Sequence, residues 1–271
     1  IKECEELVRT QKEEDVIFAL THNYTGYPMI RQARAMCQQG DLGNIRVIQA
    51  EYAQDWLTLD LENQPDSGGN KQASWRTDPS QSGSGGCIGD IGTHAYNLLR
   101  YITQLQPHQI SAELTSFVPG RKLDDNAQIS LRLNGGAKAT IWSSQIAPGN
   151  ENHLQIRIYG EKAGLEWCQE DPNYLYFTKY GSPKQKITRG GAGAISAANE
   201  VSRIPPGHPE GYLEGFANIY SDVANALIDK KNNEFDINKY HYPTVEDGLE
   251  GIRFIERSIA SSNSDSSWIN F

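Results

Sequence analysis

From residue 129 onward, short runs of alternating apolar and polar residues succeed one another, most of them ended by a glycine turn. Ile129, Leu131 and Leu133 alternate with Ser130 and Arg132, and Asn134-Gly135-Gly136 then reverses the chain into a run over 137–145. Leu154, Ile156 and Ile158 repeat the pattern, 160–164 turns, and Leu165 and Trp167 continue it. Residues 174–179 and 184–188 read as a further pair. Alternation with period two puts one row of side chains on one sheet face, and tight glycine turns join antiparallel neighbours. The spacing predicts an open, mainly antiparallel sheet of roughly six to eight strands. One face is expected to carry helices. The other, polar and aromatic, is left for a partner subunit.

The helical signals lie on both sides of this sheet. Residues 2–12 read as a helix with Leu7 and Val8 on its apolar side. Pro28 opens a second, closed by Gly40, with Ile30, Ala33 and Cys37 on one face. A third spans 210–230, with Phe216, Ile219, Tyr220, Val223 and Leu227 inward; a last one starts at Thr244, with Leu249, Ile252, Ile255 and Ile259 inward. Residues 45–55 read as a strand, and Trp268-Ile269 closes the chain as a short strand or tail. Val16 to Leu20 is a continuous apolar run, which suits a short strand buried on both faces in a parallel sheet. Residues 60–86 and 189–211 read as long loops, and Arg121, Asp124 and Asp125 as a solvated turn. The fold class is α/β, of the α+β kind.

The formal net charge of −9 argues against a nucleic-acid or anionic-membrane surface as the main role. No apolar run approaches a membrane span. Cys4, Cys37, Cys87 and Cys168 have no paired spacing, so free thiols in a reducing, cytoplasmic setting are expected.

Gly85 to His94 reads Gly-Gly-Cys-Ile-Gly-Asp-Ile-Gly-Thr-His and runs into the helical pattern of Ala95, Leu98, Leu99 and Ile102. With a helix starting near Asp90, Asp90 and His94 lie one turn apart on one face. Such a pair suits proton transfer beside a bound ligand, since a carboxylate can fix an imidazole's tautomer and tune its proton affinity. The plainer alternatives are a capping Asp90 with a satisfied, buried His94, or a metal pair. A metal pair lacks further ligands nearby, so no metal site is expected. At the end of the 16–20 run, Asn23 and Tyr24 are site candidates, because ligands bind beyond the carboxyl ends of parallel strands.

These segments together resemble the glucose–fructose oxidoreductase/inositol dehydrogenase (Gfo/Idh/MocA) family. Gly40-Asp41-Leu42-Gly43-Asn44-Ile45 is similar to its G-x-[IL]-G-x-[IL] turn, Gly85–His94 to its GG-x-x-x-D-x-G-x-H signature, and Pro243–Ser258 to its final helix. The resemblance covers nearly the whole chain from residue 2. It implies an oxidoreductase that moves hydride between NAD or NADP and a hydroxyl of a sugar or polyol, with His94 as general acid/base and Asp90 assisting. It implies Asn23 and Tyr24 near the nicotinamide, and a homodimer or homotetramer formed through the open sheet face. The family's GxGxxG loop and E-K-P lysine motif are absent from this sequence. The expectation is therefore that residues 1–25 are the last helix and strand of a dinucleotide-binding Rossmann domain. Residues 26–271 then form the substrate-binding and oligomerisation domain, weak or inactive toward dinucleotide on its own.

Further substrate contacts are expected from Tyr24, Gln54, Lys71, Trp75, Arg76 and His208, where aromatic faces stack on sugar rings and fixed donors select hydroxyls. Two other readings stay open: an NAD-dependent glycoside hydrolase of the same family, and a non-catalytic sugar-binding or dimerisation protein.

Overall fold

The strand rows bury as the alternation requires. In β3 (Asn126–Leu133), Ala127, Ile129, Leu131 and Leu133 are buried while the residues between them are not. The same holds for Leu154, Ile156 and Ile158 of β5 (His153–Gly160) and for Ala163, Leu165 and Trp167 of β6 (Ala163–Cys168). This is a computed structural model, and it describes residues 1–63 and 70–271. The remaining strands are β1 (Ile45–Ala53), β2 (Pro107–Thr115), β4 (Lys138–Ser144), β7 (Tyr174–Lys179), β8 (Gln185–Thr188) and β9 (Ile269–Asn270).

They form one nine-stranded sheet in the order β8-β7-β6-β5-β1-β4-β3-β2-β9. Every neighbouring pair is antiparallel except β1 with β4. The sheet exceeds the expected strand number chiefly through β2. Its inward row is Ile110, Ala112 and Leu114, too weakly apolar to announce a strand by periodicity.

The helices are α1 (Lys2–Glu13), α2 (Pro28–Gln38), α3 (Lys71–Arg76), α4 (Pro79–Ser82), α5 (Thr93–Thr103), α6 (Ser196–Asn199), α7 (Tyr212–Lys231) and α8 (Val245–Ser262). Helices α2, α5 and α8 cover the buried sheet face, and Phe254 of α8 stacks on Tyr96 of α5 with ring centroids 4.3 Å apart. The opposite face presents Gln49, Glu51, Gln128, Thr140, Trp142 and Arg157, as its polar and aromatic pattern implied.

Four expectations are corrected. Residues 16–20 do not form a buried parallel strand: only Ala19 bridges a neighbour, Thr244, in antiparallel sense, and Val16 stays exposed. The run has apolar composition but no flanking strands among the described residues, and a parallel strand needs both. The 60–86 stretch contains α3 and α4, capped by Asn70 and Asp78; its residues 64–69 lie outside the described residues. On α7 the contact face is Gly215, Asn218, Ile219 and Ala226, while Tyr220 and Leu227 are exposed. Small residues let this helix lie close against the 23–26 turn, and Tyr220 and Leu227 point away. On α8 the most buried positions are Phe254, Ser258 and Ser261, with Ile252, Ile255 and Ile259 only half-buried.

Candidate active site

The glycine-rich turn before α5 is shaped by an acid from elsewhere in the chain. Asp124 accepts hydrogen bonds from the backbone N–H groups of Gly86 (2.6 Å) and Ile88 (2.9 Å) and from the thiol of Cys87 (3.1 Å). It satisfies the free donors of a helix start, the role the sequence left open for Asp90. Asp124 is thus buried, not part of a solvated turn. So are Asp125 and Arg121, which pair at 3.2 Å, Arg121 reaching Glu62 at 2.8 Å as well.

Residues Ile88–Gly92 make a wide π-helical turn that runs directly into α5. Asp90 and His94 both reach one cleft of about 680 Å³, but they are not hydrogen-bonded to each other. Asp90 accepts from Arg76 Nε at 3.1 Å and from Gln145 Nε2 at 2.7 Å. His94 instead meets a second imidazole, its Nδ1 lying 3.2 Å from Nδ1 of His22. Two neutral imidazoles at that distance must adopt complementary tautomers, one donating and the other accepting. If His94 donates, its Nε2 carries the lone pair, and that atom has no hydrogen-bond partner among the described residues.

Burial, with His22 beside it, pushes the His94 imidazole down to about 3, and burial lowers His22 as well. Unfolded His94 titrates near 6.5, so below that pH the unfolded chain binds the proton first. The folded state therefore loses stability as pH falls from about 6.5 towards 3. His94→Asn is expected to lose less stability than the parent between about pH 7 and about pH 4. Urea midpoints at the two pH values check this, and equal losses in the two proteins would refute it.

The wall opposite His94 is a polar chain. The hydroxyls of Tyr24 and Tyr52 share a hydrogen bond of 2.5 Å, and Tyr52 donates to Asn152 Oδ1 at 2.7 Å. Gln54 Nε2 donates to the same oxygen at 2.8 Å, and Trp56 Nε1 donates to Gln54 Oε1 at 3.0 Å. Burial raises both tyrosines, which keeps them as neutral donors. Asn23 is buried beside them, and its Nδ2 has no partner among the described residues. Arg76 and Asp90, the charged groups lining the cleft among the described residues, pair with each other, so these residues present no unbalanced charge to a ligand there.

Of the residues singled out in the sequence, His94, Asp90, Asn23, Tyr24, Gln54 and Arg76 meet in this cleft. Lys71, Trp75 and His208 do not line it. On α3, Gln72 and Arg76 lie four apart and share the cleft face, so Trp75 is rotated away, exposed, with the Arg76 guanidinium 4.2 Å from its ring centroid. Lys71 is exposed at the start of the same helix. His208 is exposed on a loop gathered around Arg189, which donates to the carbonyls of Ile204, Pro205 and His208. The sequence reading missed His22, Tyr52, Trp56 and Asn152. A signal existed for Tyr52, which ends the inward row Ile48–Ala50 of β1. Asn152 carried none, being placed only by the pairing of β5 with β1.

Residues 30–166 match the family model of the GFO/IDH/MocA C-terminal domain. The oxidoreductase YfiI of Bacillus subtilis is 35% identical over 99% of this chain and 68% of its own length. The crystal structure of an oxidoreductase from Sinorhizobium meliloti, 47% identical, superposes with a TM-score of 0.85 over 99% of this chain and 68% of that one. An inositol dehydrogenase homologue of Azotobacter vinelandii, solved with NADH and myo-inositol, is 30% identical and superposes with a TM-score of 0.90, over 100% of this chain and 68% of that chain.

Proposed function

This chain belongs to the Gfo/Idh/MocA family of oxidoreductases, and on that premise we propose that its cleft binds a neutral sugar or polyol for hydride exchange with NAD or NADP. The observation that carries the substrate class is the self-neutralised lining. Arg76 is engaged by Asp90, and besides the His94 imidazole the remaining polar groups are amides, phenols, one indole N–H and one hydroxyl, hydrogen-bonders suited to hydroxyls. A phosphate or carboxylate would find no uncommitted cation among these lining residues. The inositol dehydrogenase homologue, solved with myo-inositol, agrees with a neutral polyol.

His94 is the group proposed to take the hydroxyl proton, through Nε2. Donation from its Nδ1 to His22, one of the two complementary arrangements, would fix the tautomer that leaves Nε2 basic. A base lowered by burial is unprotonated at neutral pH but weak, and His22 in hydrogen-bond contact lets the pair hold the proton as one unit. Asp90, held by Arg76 and Gln145, presents a fixed acceptor for a neighbouring hydroxyl. The unpartnered Nδ2 of Asn23 fits a ligand that brings its own carbonyl oxygen, as a nicotinamide carboxamide does, so Asn23 with Tyr24 is proposed to hold that end of the cofactor. When bound, the oxidised nicotinamide supplies the hydride acceptor. Residues 1–25 are proposed to belong with the dinucleotide-binding part and 26–271 to the substrate part. The open sheet face is proposed to pair with a second copy.

A ligand-observed NMR panel tests the substrate class. Neutral polyols and sugars are expected to bind, and the matching sugar phosphates and sugar acids to bind at least tenfold more weakly. A preference for the anionic forms would overturn the reading.

A further inference from the structure

Away from the cleft, at the end of the open sheet face, His153 opens β5 and Cys168 closes the adjacent β6, with Glu170 just beyond. One ligand atom from each of these three residues lies within 4.8 Å of the others. His153 Nδ1 is 3.3 Å from Glu170 Oε2 and 3.8 Å from Cys168 Sγ. A tetrahedral zinc with its usual bond lengths separates such nitrogen–oxygen and nitrogen–sulfur pairs by about 3.3 and 3.6 Å. Both separations from His153 Nδ1 are therefore close to those around one tetrahedral centre, and the Cys168 and Glu170 ligand atoms lie within 4.8 Å of each other.

The other nitrogen of the ring is also committed. His153 Nε2 lies 3.2 Å from Glu51 Oε1 and 3.3 Å from Gln155 Oε1. A histidine that ligates through one nitrogen almost always gives its other N–H to a carboxylate or carbonyl, which fixes the ring and its tautomer. Glu51 is held in turn by Arg157 Nη2 at 3.2 Å.

We infer that His153 Nδ1, Cys168 Sγ and Glu170 form a three-ligand site for zinc or a similar borderline-soft divalent cation, with Glu51 orienting the histidine from outside and water completing the coordination. On binding, the Cys168 thiol proton leaves to solvent, and the metal–sulfur bond forms to the thiolate. The site is tied to the cleft through the backbone. Asn152 precedes His153, its N–H donates to Glu170 Oε1 at 3.0 Å, and its side chain anchors Tyr52 and Gln54. Binding here would clamp one wall of the cleft without touching the reacting atoms. The inference does not depend on the reaction proposed above.

The competing arrangement is metal-free, with a histidinium bridging Glu51 and Glu170. Titrating the chelator-treated chain with cobalt(II) separates the two. One equivalent is expected to bind with a thiolate-to-cobalt charge-transfer band in the near ultraviolet, and zinc is expected to displace it. Cys168→Ser, which is nearly isosteric, is expected to abolish the band while leaving the circular dichroism unchanged. Glu51→Gln is expected to keep the band and weaken affinity by about 10–100-fold. No stoichiometric uptake by the parent chain, or uptake that Cys168→Ser leaves unaltered, overturns the inference in favour of the ion bridge.

Discussion

Replacing His94 by asparagine is expected to lower turnover of a neutral polyol by about 10²–10⁴-fold, the usual contribution of a positioned proton-transfer group. Asparagine keeps an amide able to hydrogen-bond toward His22, so the local packing is expected to survive. What it removes is the lone pair at Nε2, the atom without a partner in the cleft. The loss should fall mainly on kcat, because the hydrogen-bonded chain of Tyr24, Tyr52, Asn152 and Gln54, proposed to bind substrate hydroxyls, stays in place. His22→Asn is expected to cost less and to move the acid limb of the pH profile, since the proposed role of His22 is to orient His94 and share its proton. Steady-state kinetics and pH profiles with NAD or NADP and a neutral polyol check both variants. Turnover of His94→Asn within a few-fold of the parent would refute the assignment.

That pairing also shows where sequence reasoning reached its limit. The glycine-rich turn, Asp90 and His94 were legible as a site because residue type and helical spacing both pointed there. The partner was not: i, i+4 spacing suggested an Asp–His dyad, whereas the π-helical turn sends Asp90 to Arg76 and Gln145 and leaves His94 to His22. His22 and His94 are 72 positions apart, and no local rule joins them. Trp75 and Arg76 stood adjacent in what read as a loop, so both became candidates. Once α3 is helical, adjacent residues point about 100° apart and only one of the two can face the cleft. The strands were legible wherever their inward row was strongly apolar, and β2 was lost because alanine stands in the middle of its row. The cluster of His153, Cys168 and Glu170 was invisible for the same reason as His22: two antiparallel strands bring it together, not a motif.

Gly26→Ala is expected to destabilise the fold by about 3 kcal/mol or more, at the upper end of what overpacking costs. The argument is steric, not conformational, because Gly26 does not lie in the left-handed region. A Cβ there would stand 2.1 Å from the carbonyl oxygen of Gly215, 2.9 Å from its carbonyl carbon and 3.2 Å from its Cα. All three are backbone atoms of α7, so no side chain can rotate to make room. Gly215 has no slack to offer, since a Cβ on it would meet the Asn23 carbonyl oxygen at 2.9 Å. Moving α7 outward would also stretch the 2.9 Å hydrogen bond that Asn218 Nδ2 donates to the Gly26 carbonyl. The consequences reach the site, because the 23–26 turn carries Asn23 and Tyr24 while α7 brings Tyr212 and Phe216 to the same cleft. Polyol affinity is therefore expected to fall together with stability. Gly40→Ala is the matched control: its φ of +78° strains any side chain, but open space surrounds it. It should cost only about 1–2 kcal/mol and leave ligand affinity unchanged. Urea unfolding of the two variants, read beside polyol binding, distinguishes a close helix–turn contact from ordinary glycine flexibility. Equal losses for both would mean that the approach of α7 to the turn is looser than these distances state.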